Sequence, residues 1–460
     1  MEARTKTLLT ALATVGALLA LAPAAGAKER VLTLFSPRID SLPYVHDTHN
    51  VTLRANGREA PAEPGYILGF KEMALVDSKD PDARPLPLRK MMVHHFLYYA
   101  PGRVDDDVAG SCWRGFGFFG GRGEEHPLGH SVKPIPKRFR DRYGVANRLP
   151  DGSAPDWRLT AMVMNHYKRP KSFFIRTRIH YTTERREAVK PFVIGECGQL
   201  LNGMAYDVPG GGAPGSEFVD TSTWTAPFSG RLIGAFSHQH GGGKHQLLES
   251  ETCGRRLFDA PVYYGPPDHP YNTVRPILHE PGPIGTGSFA SRRGVPVSAG
   301  EVLRRTAVHD AHNLHVAAMG FWIGLLVPDD SVTRCAPLPH DIVEINRPKR
   351  FDRTPDYDLV VPQLAKPRGA FRAFDGSPLP VADDFFRPQR ITAAVGQTVT
   401  WRFAGDRPHT VTVANGPRGF SSIYWGRTSG SYSVTPQVPG TYRLVCLVHP
   451  TTMAQTLVVR

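Results

Sequence analysis

Four residues near the carboxyl end have the types and spacing to hold a redox metal. Cys446, His449 and Met453 fall within eight residues, and His409 stands upstream at the mouth of the run Pro408-His409-Thr410-Val411-Thr412-Val413. Two imidazoles and one thiolate in a trigonal plane, with a weak axial thioether, form the donor set of a type 1 copper site. The loop after Cys446 supplies three donors in a compact, rigid piece, and His409 must arrive from a distant strand. Such a geometry suits both copper oxidation states, so electron transfer needs little rearrangement.

Two more histidine-rich groups lie in the long N-terminal region. The first is His94-His95 inside Met92-Val93-His94-His95-Phe96-Leu97-Tyr98-Tyr99, followed downstream by Asn165-His166-Tyr167 and by His180. Neighbours on a regular strand face opposite sides, so both members of the pair reach one metal only if the strand bulges or ends there. Otherwise one ring is core and one is surface. The second group is Ser237-His238-Gln239-His240, with Gly241, Gly242 and Gly243 after it. In His-x-His both rings share a strand face, a natural chelate, and the glycines permit a sharp turn. Further on, His315 and Met319 share a face by their even spacing. A methionine at the head of an apolar run is usually core, but two imidazoles plus a thioether suit copper(I), the form that meets dioxygen. His245 and His315 are reserve ligands. His46, His49, His126, His130, His269, His279 and His340 sit in polar, turn-rich contexts and are expected to face solvent.

The elements that must position these residues read as β-strands. The chain has 460 residues, of which 45 are Gly and 42 Pro, and short apolar runs alternate with turns throughout. Long helices and coiled coils are excluded, and an all-β fold is expected. Domain boundaries are expected as follows: 1–27 a signal peptide, 28–190 and 191–336 two β-sandwiches, 337–383 a Pro-, Asp- and Arg-rich linker, and 384–460 a small β-sandwich. Arg4 and Lys6, the apolar run Leu8 to Leu21 and Ala25-Gly26-Ala27 make the expected leader. It implies a secreted or cell-envelope protein with no integral membrane segment after cleavage. The formal charge is +13, yet no dense basic run interleaves with aromatics, so nucleic acid is not an expected partner. Five cysteines leave an odd one, assigned to Cys446. Cys112, Cys197, Cys253 and Cys335 allow three disulfide pairings, which sequence does not choose among.

The C-terminal unit resembles the plastocyanin-like cupredoxins over its length, which implies a Greek-key β-sandwich with copper on His409, Cys446, His449 and Met453. Val445 and Leu447 flank the cysteine where multicopper oxidases carry histidines, so that class is excluded. The N-terminal body resembles the stress-up-regulated nodulin family, relatives of the ascorbate-dependent type II copper monooxygenases, on Val93-His94-His95, Ser237-His238-Gln239-His240-Gly241-Gly242 and His315-Val316-Ala317-Ala318-Met319-Gly320. The resemblance implies two jelly-roll sandwiches, one copper on His94, His95 and His166 and another on His238, His240 and Met319. It points to a copper-dependent oxidoreductase using dioxygen, a small-molecule substrate and a redox partner or small-molecule reductant. A non-catalytic protein for electron transfer or copper storage remains the alternative, and the catalytic residues are unassigned.

Overall fold

The computed structural model describes residues 29–54, 59–105, 117–123, 135, 137–195, 205–352, 361–422 and 426–460. The expected leader lies outside the described residues, as do His126, His130, Cys112 and Cys197. The fold is all-β. Its one described α-helix is the short Pro270–Thr273, and no described helix is long and apolar enough to cross a membrane.

The strands form three pairs of sheets. Residues 30–188 build a sheet around Gly65–Val76 and Lys171–Thr182 and a second in the order Val45–Leu53, Trp157–Asn165, Met91–Tyr99, Phe118–Gly123. Residues 190–345 build a sheet centred on Gly230–Gln239 and His315–Pro328 and another on Glu217–Thr225, Val302–Asp310 and Gly243–Ser250. The chain changes partner at Val189: Glu187 and Ala188 pair with Tyr143 and Gly144, whereas Lys190 pairs with Leu326. Residues 372–459 build the last pair, in which Gly440–Val445 and Ala454–Val459 flank the Cys446 loop.

The strand His315–Pro328 explains how the first two sandwiches join. Its side chains alternate between two cores. Phe321, Ile323, Leu325 and Val327 belong to a core shared with Val93, Leu97, Tyr99 and Phe118 of the N-terminal half. Trp322 and Leu326 point the other way, into a core with Phe192, Trp224 and Leu303. A sheet apolar on both faces must be covered on both, which accounts for the uninterrupted run Phe321 to Val327. A further seam packs Met92 and Met164 against Tyr271, Val274 and Leu278, across the same junction.

The expected linker from Pro337 to Asp383 does not run free. Val343–Ile345 pairs with Ser288–Ala290 of the second half, and Leu338 and Ile342 pack on its core. Arg372–Ala373 is an edge strand of one C-terminal sheet and Leu379–Ala382 an inner strand of the other, between Phe385–Phe386 and Val399–Phe403, so these sheets begin before Asp384.

Cys253 and Cys335 form a disulfide, and Cys446 is a buried free thiol. The bridge ties chain segments 82 residues apart, so it removes much of the freedom of the unfolded chain. Replacing both cysteines with alanine is expected to lower unfolding stability by about 2–4 kcal/mol. Denaturant titration of the metal-free protein checks this, and an unchanged midpoint would contradict it.

Candidate metal centres

The C-terminal centre follows from local backbone closure. After the strand Gly440–Val445 the chain turns, with Cys446 N–H donating to Met453 O, His449 N–H to Cys446 O and Met453 N–H to His449 O. These bonds fold the eight residues into one unit. His409 comes from across the sandwich, fixed by a two-way backbone bridge to Arg427. His409 Nδ1 lies 3.9 Å and His449 Nδ1 3.7 Å from Cys446 Sγ. A cation seated among three atoms so spaced would be roughly 2 Å from each, the length of a metal–ligand bond. Thr410 N–H donates to the sulfur at 3.4 Å, and His449 Nε2 faces Asp384 Oδ1 at 3.3 Å, fixing the ring from behind. Cys446, His409 and Met453 are fully buried. The structure thus brings His409, Cys446 and His449 together and places Met453 in the same loop.

Burial pushes the Cys446 thiol up from its ordinary value, and burial likewise drives His409 down to about 4, helped by His449. A buried soft sulfur between two neutral rings is a poor place for a bare thiolate and a good one for a soft cation. The donor set fits copper.

The body histidines assemble differently from the two sets read in the sequence. The register of Met91–Tyr99 on Trp157–Asn165 shifts between Val93 and His95, so the strand bulges at the histidine pair. The bulge points both rings into one space, with centroids 4.1 Å apart. They face the second half of the body. Opposite them, His238 and His240 share a face with Phe236 and with Phe321, against which His238 packs at 4.4 Å. His95 Nε2 and His238 Nε2 are 3.1 Å apart. Two ligand-spaced triplets result, His95–His238–His240 and His94–His240–His279. His46 packs edge-on to His94 and His279, at 5.0 and 5.1 Å. Six buried imidazoles, three from each half, meet at the junction.

The structure departs from expectation at four residues. His166 joins neither triplet; its Nε2 contacts Pro276 O at 3.2 Å, because it follows the end of its strand. Met319 lies opposite His240 and receives its N–H on the backbone carbonyl, while its side chain is part of the apolar core. His46 and His279, expected at the surface, are 4% and 7% exposed. His279 is carried in by the loop after the helix Pro270–Thr273, whose Tyr271, Val274 and Leu278 seal against Met92 and Met164. The apolar Ile277-Leu278 pair just before His279 was the available signal. His46 lies directly opposite Met164 and shares its face, which looks away from the Val45, Val51 and Leu53 face of its own strand.

His315 has another role. Its Nδ1 is 2.6 Å from Glu280 Oε1 and its Nε2 3.4 Å from Asp310 Oδ2. Burial opposes its charge, but the two carboxylates prevail and raise it to about 9. Gly241 and Gly242 make room for this group: a Cβ on Gly242, at φ +78°, would meet the His315 ring, and one on Gly241 would meet Glu280. His279, Glu280 and His315 line a cavity of about 360 Å³, closed on its far side by Thr412, Val445 and Leu447 of the C-terminal sandwich.

No protein-family model and no curated protein matches the chain. Among solved structures, an oxidized point mutant of amicyanin is similar at 27% identity over 19% of this chain and 84% of its own, with a TM-score of 0.16. A copper-containing nitrite reductase from Thermus scotoductus SA-01 is similar at 15% identity over 54% of this chain and 58% of its own, with a TM-score of 0.16. Recombinant peptide:N-glycanase F is similar at 10% identity over 69% of this chain and all of its own, with a TM-score of 0.31.

Burial first, then mutual repulsion, holds His46, His94 and His240 well below the ordinary imidazole value, and burial brings His279 to about 4. A histidine depressed in the folded state stabilises it above the unfolded value near 6.5 and loses that contribution as pH falls toward the folded value. The metal-free protein should therefore lose unfolding stability between pH 6.5 and 4. His279→Gln should flatten that slope, as read by denaturant midpoints across the range. An identical slope in the variant would refute the assignment.

Proposed function

We propose that the protein is an exported copper redox protein whose C-terminal sandwich passes electrons to a copper-binding, monooxygenase-like body. The observation that carries this reading is the pairing of two donor sets of different chemistry in one chain. One offers a thiolate and two imidazoles, the set for electron transfer. The other offers imidazoles alone at a junction beside a cavity, the set for a copper that binds an exogenous ligand. The copper itself would supply one-electron chemistry. The chain's residues keep water out, hold the rings neutral and orient them.

The cavity supports a small-molecule substrate, since His279 belongs to both the cluster and the cavity wall. Glu280 and His315 offer charged hydrogen-bonding partners in its wall, and Val445 and Leu447 an apolar part. Export is supported by the Cys253–Cys335 disulfide, which suits an oxidising compartment, and by the basic, apolar and small-residue order of the first 27 residues. The resemblance of the body to the nodulin and monooxygenase families fits this reading. His94, His95, His238, His240 and His279 are the residues assigned to body copper, which the triplets divide between two ions at most.

Copper analysis with electron paramagnetic resonance on the full chain tests the proposal. The expected spectrum holds one type 1 signal with at least one type 2 signal. Cys446→Ser should remove the intense colour and the type 1 signal and leave the type 2 signal. His240→Ala should do the reverse. A coloured Cys446→Ser protein, or a native spectrum without type 2 copper, would overturn the assignment.

A further inference from the structure

A continuous bonded route joins the two centres. At the body end, His240 Nδ1–H donates to Ala317 O at 2.9 Å. Ala317 N–H in turn donates to Asp207 Oδ1 at 2.9 Å. The other oxygen of the same carboxylate, Asp207 Oδ2, accepts from Ser421 N–H in the C-terminal sandwich at 2.7 Å. Ser421 Oγ lies 3.3 Å from Thr412 Oγ1, which donates to Thr410 Oγ1 at 3.2 Å. Thr410 closes the route with its N–H to Cys446 Sγ at 3.4 Å, and its hydroxyl oxygen accepts from Leu447 N–H at 2.8 Å.

The backbone departs from regularity where this route needs it. The strand Ala205–Val208 shifts register between Tyr206 and Val208, so Asp207 sits on a bulge. Ala317 adopts φ +54°, a conformation that strains a residue with a Cβ. There its carbonyl meets one centre's ligand and its N–H meets the carboxylate. A neighbouring backbone bond, Gly419 N–H to Pro209 O, and a side-chain bond from the Arg418 guanidinium to Gly210 O dock the same two segments.

We infer that Asp207, with Ala317, Ser421, Thr412 and Thr410, is the electronic coupling element between the Cys446 thiolate and the His240 imidazole. Hydrogen-bonded atoms approach closer than van der Waals contact, and a chain of such bonds polarises cooperatively, so the route couples better than the through-space gap of the cavity beside it. With copper held by His409, Cys446 and His449 at one end and by the His240 triplets at the other, the route would carry one electron and no proton, the C-terminal ion going from copper(I) to copper(II) as the body ion goes from copper(II) to copper(I). This inference rests on the proposed two-centre reading. Asp207 is a positioning residue; it touches neither set of ligands.

The test uses the copper-loaded full-length chain with Asp207→Ala, Thr412→Val and the double variant. Flash reduction by a photoexcited ruthenium complex bleaches the blue band, and its recovery reports transfer to the body. Each single variant should slow recovery roughly tenfold, and the double variant should be no slower than the slower single, because both cut one route. In metal-free protein, Asp207→Ala should also speed amide hydrogen exchange at Ala317 and Ser421. Recovery within about twofold of native in a variant that retains both copper signals would overturn the inference, as would unchanged exchange at both amides. If Asp207→Ala does not fold, Thr412→Val decides alone. A native chain that holds both coppers but shows no recovery sinks the coupling and leaves the metal assignment standing. A native chain without body copper sinks both.

Discussion

The molecule depends on the burial of one sheet from both sides. The strands Gly230–Gln239 and His315–Pro328 carry apolar residues on each face, so neither half of the body is complete without the other. Burying a side chain such as Phe321, Ile323, Leu325 or Val327 contributes about 1.5–3 kcal/mol. Withdrawing an imidazole from water costs about 1–3 kcal/mol where its hydrogen bonding is incomplete. The two figures are of similar size, so the apolar seam offsets the burial of a few rings. In the proposed reading a cation would add to this balance by accepting several ring nitrogens at once. If the cluster holds metal as proposed, its acid sensitivity and its metal affinity would be one property seen twice, since proton and metal compete for the same lone pairs.

What could be read from the sequence follows the range of the contacts. The Cys446, His449 and Met453 loop closes through its own backbone hydrogen bonds, so spacing alone describes it, and His409 is marked by the strand it opens. The all-β class was equally plain from turns and short apolar runs. His238 and His240 were legible as a pair because strand periodicity puts them on one face. Which rings the pair meets was not legible, since that is decided by the packing of one sheet on another. His46 and His279 were hidden by polar and proline-rich neighbours, although the Ile277-Leu278 pair pointed inward beside His279, and His46, opposite in face to Val45, had no such signal. His166 failed in the opposite way. Its motif context was suggestive, but it follows a strand end and turns to Pro276. The Asp207 bulge has no local signature at all.

Grouping by halves was the physical error in the two ligand sets. Each was drawn from one stretch of chain, as if a sandwich must complete its own site. Concave space in a two-layer protein lies between units more readily than within one, because the interior of each sandwich is filled by its own side chains. The same reasoning places the cavity at the next junction, between the body and the C-terminal sandwich. Both junctions share residues: His279 lines the cavity and faces His94 in the cluster at 4.6 Å.

The docking of the C-terminal sandwich then has to satisfy two demands at once. It must hold its own donors rigid, which the loop bonds of Cys446 achieve without help from the body. It must also stand in a fixed position relative to the body, which a flexible tether would not ensure. The strained Ala317, at a cost of order 1–3 kcal/mol, persists only because surrounding contacts over-determine it. Those contacts are the carbonyl given to His240 and the amide given to Asp207. A purely structural joint between two sandwiches has cheaper solutions than a carboxylate on a bulge meeting a left-handed alanine. The strain is placed where one residue's carbonyl meets His240 and its N–H meets Asp207, the carboxylate that accepts from Ser421 of the partner sandwich. That placement ties the position of the C-terminal unit to the orientation of a single imidazole ring.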